Sequence, residues 1–184
     1  WKWIYRILRI GVPAAVGDNV RELGRFVVGR VINGLGTAIM AAHSVVWPVM
    51  ALFMMPIWGL EQAVVTMVGQ NLGAKKPQRS EKSVYLALAS ALAISGVIAV
   101  AIFIYAPQVV ALYTTDPAVV PYALVFVRIA VGALLVMTAS MIIGATFWGS
   151  GDTKPPMYIS IATTWLLNVP AVLILIYALR ASVF

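Results

Sequence analysis

Residues 84–106 run for 23 positions without a single charged side chain. As a helix, about 20 apolar residues cross the hydrocarbon of a bilayer, so this run alone is long enough to span one. A second uncharged run covers 157–179, and 119–148 carries only Arg128. In lipid an unpaired backbone amide or carbonyl is too costly to keep, so each run is expected to be helical throughout. Two further stretches are less plain. Residues 41–72 contain Pro48 and Pro56. As one helix they would reach about 48 Å against roughly 30 Å of hydrocarbon, so this segment must tilt, bend or protrude. Residues 4–33 carry charges in their middle, which hides them from a hydropathy scale. The expected fold is all-α: a polytopic transmembrane helix bundle with five spans at about 4–33, 41–72, 84–106, 119–148 and 157–179. Together they form a single lobe over 1–184.

Composition agrees. Hydrophobic residues make up 62% and charged residues 10%, with a mean hydropathy of +0.95. A soluble domain is nearer half apolar and a quarter charged. The net charge of +7 does not point to nucleic acid, because the cations cluster at the ends of apolar runs. Without cysteine there is no disulfide framework and no thiol chemistry. The chain opens on Trp1, and Lys2, Arg6 and Arg9 precede a segment too long and too polar for a signal peptide. It reads as a piece of a longer protein.

The most basic stretch lies between the second and third segments. VGQNLGAKKPQRS, residues 68–80, combines two glycines, an amide pair, Pro77 and the cations Lys75, Lys76 and Arg79, with Lys82 just beyond. Gly73 and Pro77 are both expected to stop a helix, one by permitting left-handed backbone and the other by removing a donor. The connections at 34–41 and 107–118 hold no lysine or arginine. By the positive-inside rule the N-terminus and the loop 73–83 face the cytoplasm. Trp1, Trp3, Trp47, Tyr105, Tyr113, Trp148 and Tyr177 fall near the expected interfaces, where amphipathic rings belong.

Ionisable residues inside a membrane are expensive and usually face a cavity or a partner. Asp18, Arg21, Glu22 and Arg25 fall at i, i+3, i+4 and i+7, on one helix face. They read either as a self-paired ladder fastening the helix to a neighbour, or as a water-exposed proton or cation site. Glu61 lies roughly 20 Å from the inner end, beside Met54, Trp58 and Val65 on one face. A desolvated carboxylate exchanges protons near neutral pH, and an aromatic ring beside it suits an organic cation. The structural alternative pairs Glu61 with Arg128. His43 reads as a surface or capping residue of an outer loop. Met54, Trp58 and Asn168 are candidates for the substrate cavity, and Asn168 with Pro170 predicts a locally broken helix. The sequence holds no phosphate-binding glycine loop, metal-ligand cluster or nucleophile–base set, so no enzyme and no metal site is expected.

The stretch 68–80 resembles the loop after the second helix of a lobe in the multidrug and toxic compound extrusion (MATE) transporters. GATFWGSGDTKPPMYIS, residues 144–160, is similar to their Gly-Asp-Thr-Lys/Arg-Pro segment before the fifth helix of a lobe. ILRIGVPAAV, GLGTAIMAAHSV, VGQNLGAKKP and GSGDTKPP follow in the order and spacing of one lobe. TFWGSGDT departs from the small-residue run ending Arg-Gly-Ala-Gly-Asp-Thr common in relatives. The resemblance implies half of a twelve-helix, two-lobe transporter: the first five helices of a lobe, with the sixth missing. LRIGVPAAV and TTWLLNVPAVLIL look more like the C-terminal lobe. The implied function is a secondary antiporter in the cell membrane, exporting amphiphilic or cationic drugs or metabolites in exchange for H+ or Na+, with no other cofactor. Its partners would be the other lobe, membrane lipids and the small-molecule substrate, with no nucleic acid. Glu22 loosely matches an acidic residue that some relatives carry on the corresponding helix. Two rivals stand beside this reading: a lipid-linked precursor flippase of the same superfamily, and a structural membrane subunit that transports nothing.

Overall fold

The structure is a computed structural model describing residues 1–34 and 36–174. All regular secondary structure among the described residues is helical. The order is α1 (Lys2–Asn33), α2 (Thr37–Gly73), α3 (Pro77–Ala111), α4 (Val120–Ser150) and α5 (Lys154–Ala162). The last helix runs on through a π-helical turn, Thr163–Asn168, as one apolar helix reaching Ile174. The end of the expected fifth span, Tyr177 and Arg180 lie outside the described residues. Among the described residues, four helices are long and apolar enough to cross a membrane. The internal charges of α1 leave it outside that group, as its sequence implies.

The helices overrun the hydropathy limits. The first two turns of α3 are built from 77–83, so the expected loop 73–83 shrinks to Ala74–Lys76. Gly73 does not end α2 by turning left-handed; it is the last helical residue. The left-handed residue is Lys75, at φ +57. Its amide donates to the Leu72 carbonyl at 2.9 Å, and the Lys76 amide donates to the Asn71 carbonyl at 2.9 Å. Those two bonds form a Schellman cap with lysine where glycine is usual. Pro77 opens α3, where its missing N–H costs nothing. His43 lies inside α2 rather than in a loop, its ring edge-on to Phe126 at 6.3 Å. Near the far end of α3, Tyr105 is non-helical (φ −97, ψ 19). Pro107, two residues on, has no N–H for the Phe103 carbonyl, and the helix kinks. Asp116 then organises the return to α4: its side chain accepts from the Ala118 amide at 2.8 Å, and its carbonyl from Val119 at 3.0 Å.

The chain divides into two compact units. Gly36–Ser150 contains α2, α3 and α4 packed on one another. Its core has two clusters. One joins Ala42, Val49 and Met50 of α2 to Ile102 and Val110 of α3 and Ala123, Val127 and Val131 of α4. The other joins Met54, Ile57, Val64 and Val68 to Ala91, Leu134, Ile142 and Ala145. Alanine, valine, isoleucine and methionine side chains fill these contacts while Val97, Val100, Phe103, Ile104, Ile129 and Val136 stay exposed. That distribution suits lipid, where close backbone packing rather than water exclusion holds helices together. The tightest crossing is at Gly149. A Cβ there would lie 2.7 Å from the Val65 carbonyl and 2.8 Å from Val68 Cβ. A Cβ on Gly69 would lie 3.2 Å from the Gly149 carbonyl. The second unit, Trp1–Leu35 with Gly151–Phe184, packs α1 on α5 and its π turn.

In the full-length protein, Gly149→Ala should force α2 and α4 apart and cost about 1–3 kcal/mol. Gly132→Ala has open space at its Cβ and should be neutral or slightly stabilising. Thermal unfolding in detergent compares them, and equal melting temperatures would contradict the crossing.

Candidate functional site: charged residues within the helices

On α1 the four charges form two pairs. Arg21 Nη2 lies 3.5 Å from Asp18 Oδ1, and Arg25 Nη1 lies 3.5 Å from Glu22 Oε1. Their side chains remain 52–62% exposed. Arg21 Nη2 also donates to Ser160 Oγ of α5 at 3.1 Å, so the ladder is partly self-paired and partly fastened to its neighbour. The geometry is that of the self-paired ladder fastening α1 to its neighbour.

Ser160 was not foreseen, and neither was the seam beneath it. Gly17 and Gly24, one heptad apart, are buried against α5. A Cβ on Gly17 would meet Met157 Cα at 3.2 Å, and one on Gly24 would collide with Thr164 Cγ2. Thr163 Oγ1 donates to the Ile159 carbonyl at 2.7 Å, in the π-helical turn that brings Thr164 toward Gly24. Thr153 Oγ1 donates to the Ile10 carbonyl at 2.8 Å. Gly151, at φ +77, makes the sharp entry into α5 that this bond needs. The Gly-Asp-Thr and Leu-Arg-Ile-Gly stretches are thus joined directly. Asn168 sits exposed at the end of the π turn, where the expected break falls.

In the three-helix unit, Glu61 is half-buried on α2, with Trp58 and Val65 packed against the second core cluster. Met54 is 5% exposed inside that cluster. It fills the core between α2, α3 and α4 and lines no open surface of this unit, contrary to its expected place on a cavity wall.

The expected alternative that pairs Glu61 with Arg128 is also corrected. α2 and α4 run parallel, with Gly149 level with Val65 and Val68. This register puts Arg128 level with the region of Val45, roughly 24 Å along the axis from Glu61. Arg128 instead places its guanidinium 5.8 Å from the centroid of the Phe103 ring, a cation–π contact.

Among the described residues no group of three or more His, Cys, Asp or Glu is placed to hold a metal ion.

Comparison with known proteins gives this arrangement its context. The MatE family model matches residues 13–174. The probable multidrug resistance protein YoeA of Bacillus subtilis is 28% identical over 169 residues, covering 92% of this chain and 36% of that protein. The probable multidrug resistance protein NorM of Acinetobacter baylyi is 31% identical over 169 residues, covering 91% and 37%. A solved MOP superfamily transporter from Pyrococcus furiosus superposes with a TM-score of 0.87 at 20% identity, over 95% of this chain and 38% of that one. An outward-facing multidrug resistance MATE family transporter gives a TM-score of 0.85 at 23% identity, over 93% and 39%. The chain spans a little over a third of the length of these relatives. From the family match and the shared helix order together, the chain belongs to the MatE family and corresponds to one lobe of its two-lobe membrane bundle.

Proposed function

We propose that this chain is the C-terminal lobe of a secondary antiporter that exports amphiphilic, often cationic compounds in exchange for H+ or Na+. The observation that carries the reading is the pair of half-exposed ion pairs on α1. Charges so exposed inside a spanning helix need water or a polar partner rather than lipid. Pairs at 3.5 Å with open flanks can exchange a counter-charge for a proton or a cation. Several relatives are named as multidrug resistance proteins, which supports efflux as the transport direction. The balanced signs on this face favour a site that handles cations over the strongly cationic cavity of a flippase. Asp18, Glu22 and Glu61 are the coupling candidates. Arg21 and Arg25 hold the carboxylates in place until the ion or proton takes over. Trp58 and Asn168 are the remaining candidates for contact with substrate.

In the full transporter reconstituted in vesicles, efflux of a fluorescent organic cation should depend on the H+ or Na+ gradient. Asp18→Asn, Glu22→Gln or Glu61→Gln should remove most of that dependence while membrane insertion stays normal. Because Arg128 is remote from Glu61, Arg128→Gln should not rescue Glu61→Gln. Unchanged ion dependence in all three carboxylate variants would exclude coupling through these groups.

The same reading places the N-terminus and the α2–α3 turn in the cytoplasm. Ser80 is buried, so exposed Gln78 is the better probe. A lone cysteine at Gln78 should react with an impermeant thiol reagent only once the cytoplasmic side is opened, and one at Thr115 should react in intact cells. The reverse pattern would invert the topology.

A further inference from the structure

We infer that the start of α3 and the turn before it bind the headgroup of an anionic phospholipid. Four cations, Lys75, Lys76, Arg79 and Lys82, stand within eight residues against one acid, Glu81. All four are exposed, and none is ion-paired among the described residues. They do not hang on a floppy loop. The Schellman cap fixes Lys75 in left-handed backbone, a conformation that costs a lysine energy and persists only where the surroundings hold it. Arg79 and Lys82 stand three residues apart on the first turns of α3, where the helix sets their spacing.

The second observation is the helix face beside this cluster. Gln78, Glu81, Lys82, Tyr85 and Leu86 share one exposed face of α3. That face changes character along the helix. Lys82 and Gln78 are polar and lie toward the turn. Tyr85 and Leu86 lie one turn further on, 63% and 60% exposed, where the uncharged run 84–106 begins. A free phosphate would satisfy the cations and leave Tyr85 and Leu86 bare. A phospholipid covers both, with its phosphate on the cations and its glycerol and upper acyl chain on the tyrosine and leucine. Attraction of basic residues to an anionic leaflet accumulates with each cation near the surface. Glu81 opposes the phosphate from the same face, so its charge should weaken binding.

This site rests on the membrane placement of α3 and not on the transport reading, so efflux is not its readout. The full transporter, purified and delipidated in mild detergent, is titrated with phosphatidylglycerol or phosphatidylcholine while its melting temperature is followed. Phosphatidylglycerol should raise the melting temperature at lower concentration than phosphatidylcholine. Lys75→Gln, Lys76→Gln, Arg79→Gln and Lys82→Gln combined should raise the half-saturating phosphatidylglycerol concentration roughly tenfold or more, while Lys154→Gln should leave it unchanged. If the combined variant fails to fold, two single substitutions decide: Lys82→Gln should weaken the effect and Glu81→Gln should strengthen it. Equal responses to the two lipids would overturn the site. So would an equal effect of glycerol phosphate alone, a loss in Lys154→Gln as large as in the combined variant, or single substitutions that move the effect in the same direction.

Discussion

The three-helix unit depends on how closely two backbones approach where Gly149 of α4 crosses α2. In lipid no water is squeezed out when apolar helices meet, so contact area between backbones must supply much of the attraction. Gly149 and Gly69 give up their side chains to allow it, and either glycine with a Cβ would press on the other helix. The crossing also sets the parallel register of α2 and α4. That register decides which α2 residue faces which α4 residue along the whole unit, and so how far Glu61 stands from Arg128. In α1 and α5 the same device recurs as Gly17 and Gly24 against Met157 and Thr164.

Much of this was legible in the chain. Runs with at most one charge must be helical in hydrocarbon, so α3, α4 and the described part of the last helix follow from residues 84–106, 119–148 and 157–174 with little freedom. Helix ends were less legible, because hydropathy stops at the first lysine while a helix continues past the interface. The 77–83 stretch shows this: it is polar and basic, yet it forms two turns of α3. The left-handed residue was misplaced for a different reason. Glycine is the default for that conformation, but Gly73 falls two residues too early for the Schellman bonds, and Lys75 carries the strain instead.

The site was legible as residues but not as pairs. The i, i+3, i+4, i+7 spacing of Asp18, Arg21, Glu22 and Arg25 announced one face, and the two ion pairs on it follow from helix geometry alone. A pairing of Glu61 with Arg128 is compatible with the sequence, because segment ends alone do not set the register of two helices; the glycine crossing sets it and holds the two apart. Nothing local marks Ser160 as a partner of Arg21, or Thr153 as a donor to Ile10, since both bonds join residues about 140 positions apart. The small residues in GSGDTKPP were the available signal, because they permit the close approach those bonds require.

What ties the fold to transport is whether the charged face of α1 meets water. The most direct measurement is the reactivity of single cysteines toward a water-borne thiol reagent in the full transporter. Ala14 precedes Asp18 by one turn on the charged face, and Leu23 lies nine residues on, on the opposite side of the helix. Ala14→Cys should react readily and Leu23→Cys should not. Equal protection of both would mean that the ion pairs are sealed from water, and the coupling role proposed for Asp18 and Glu22 would fail.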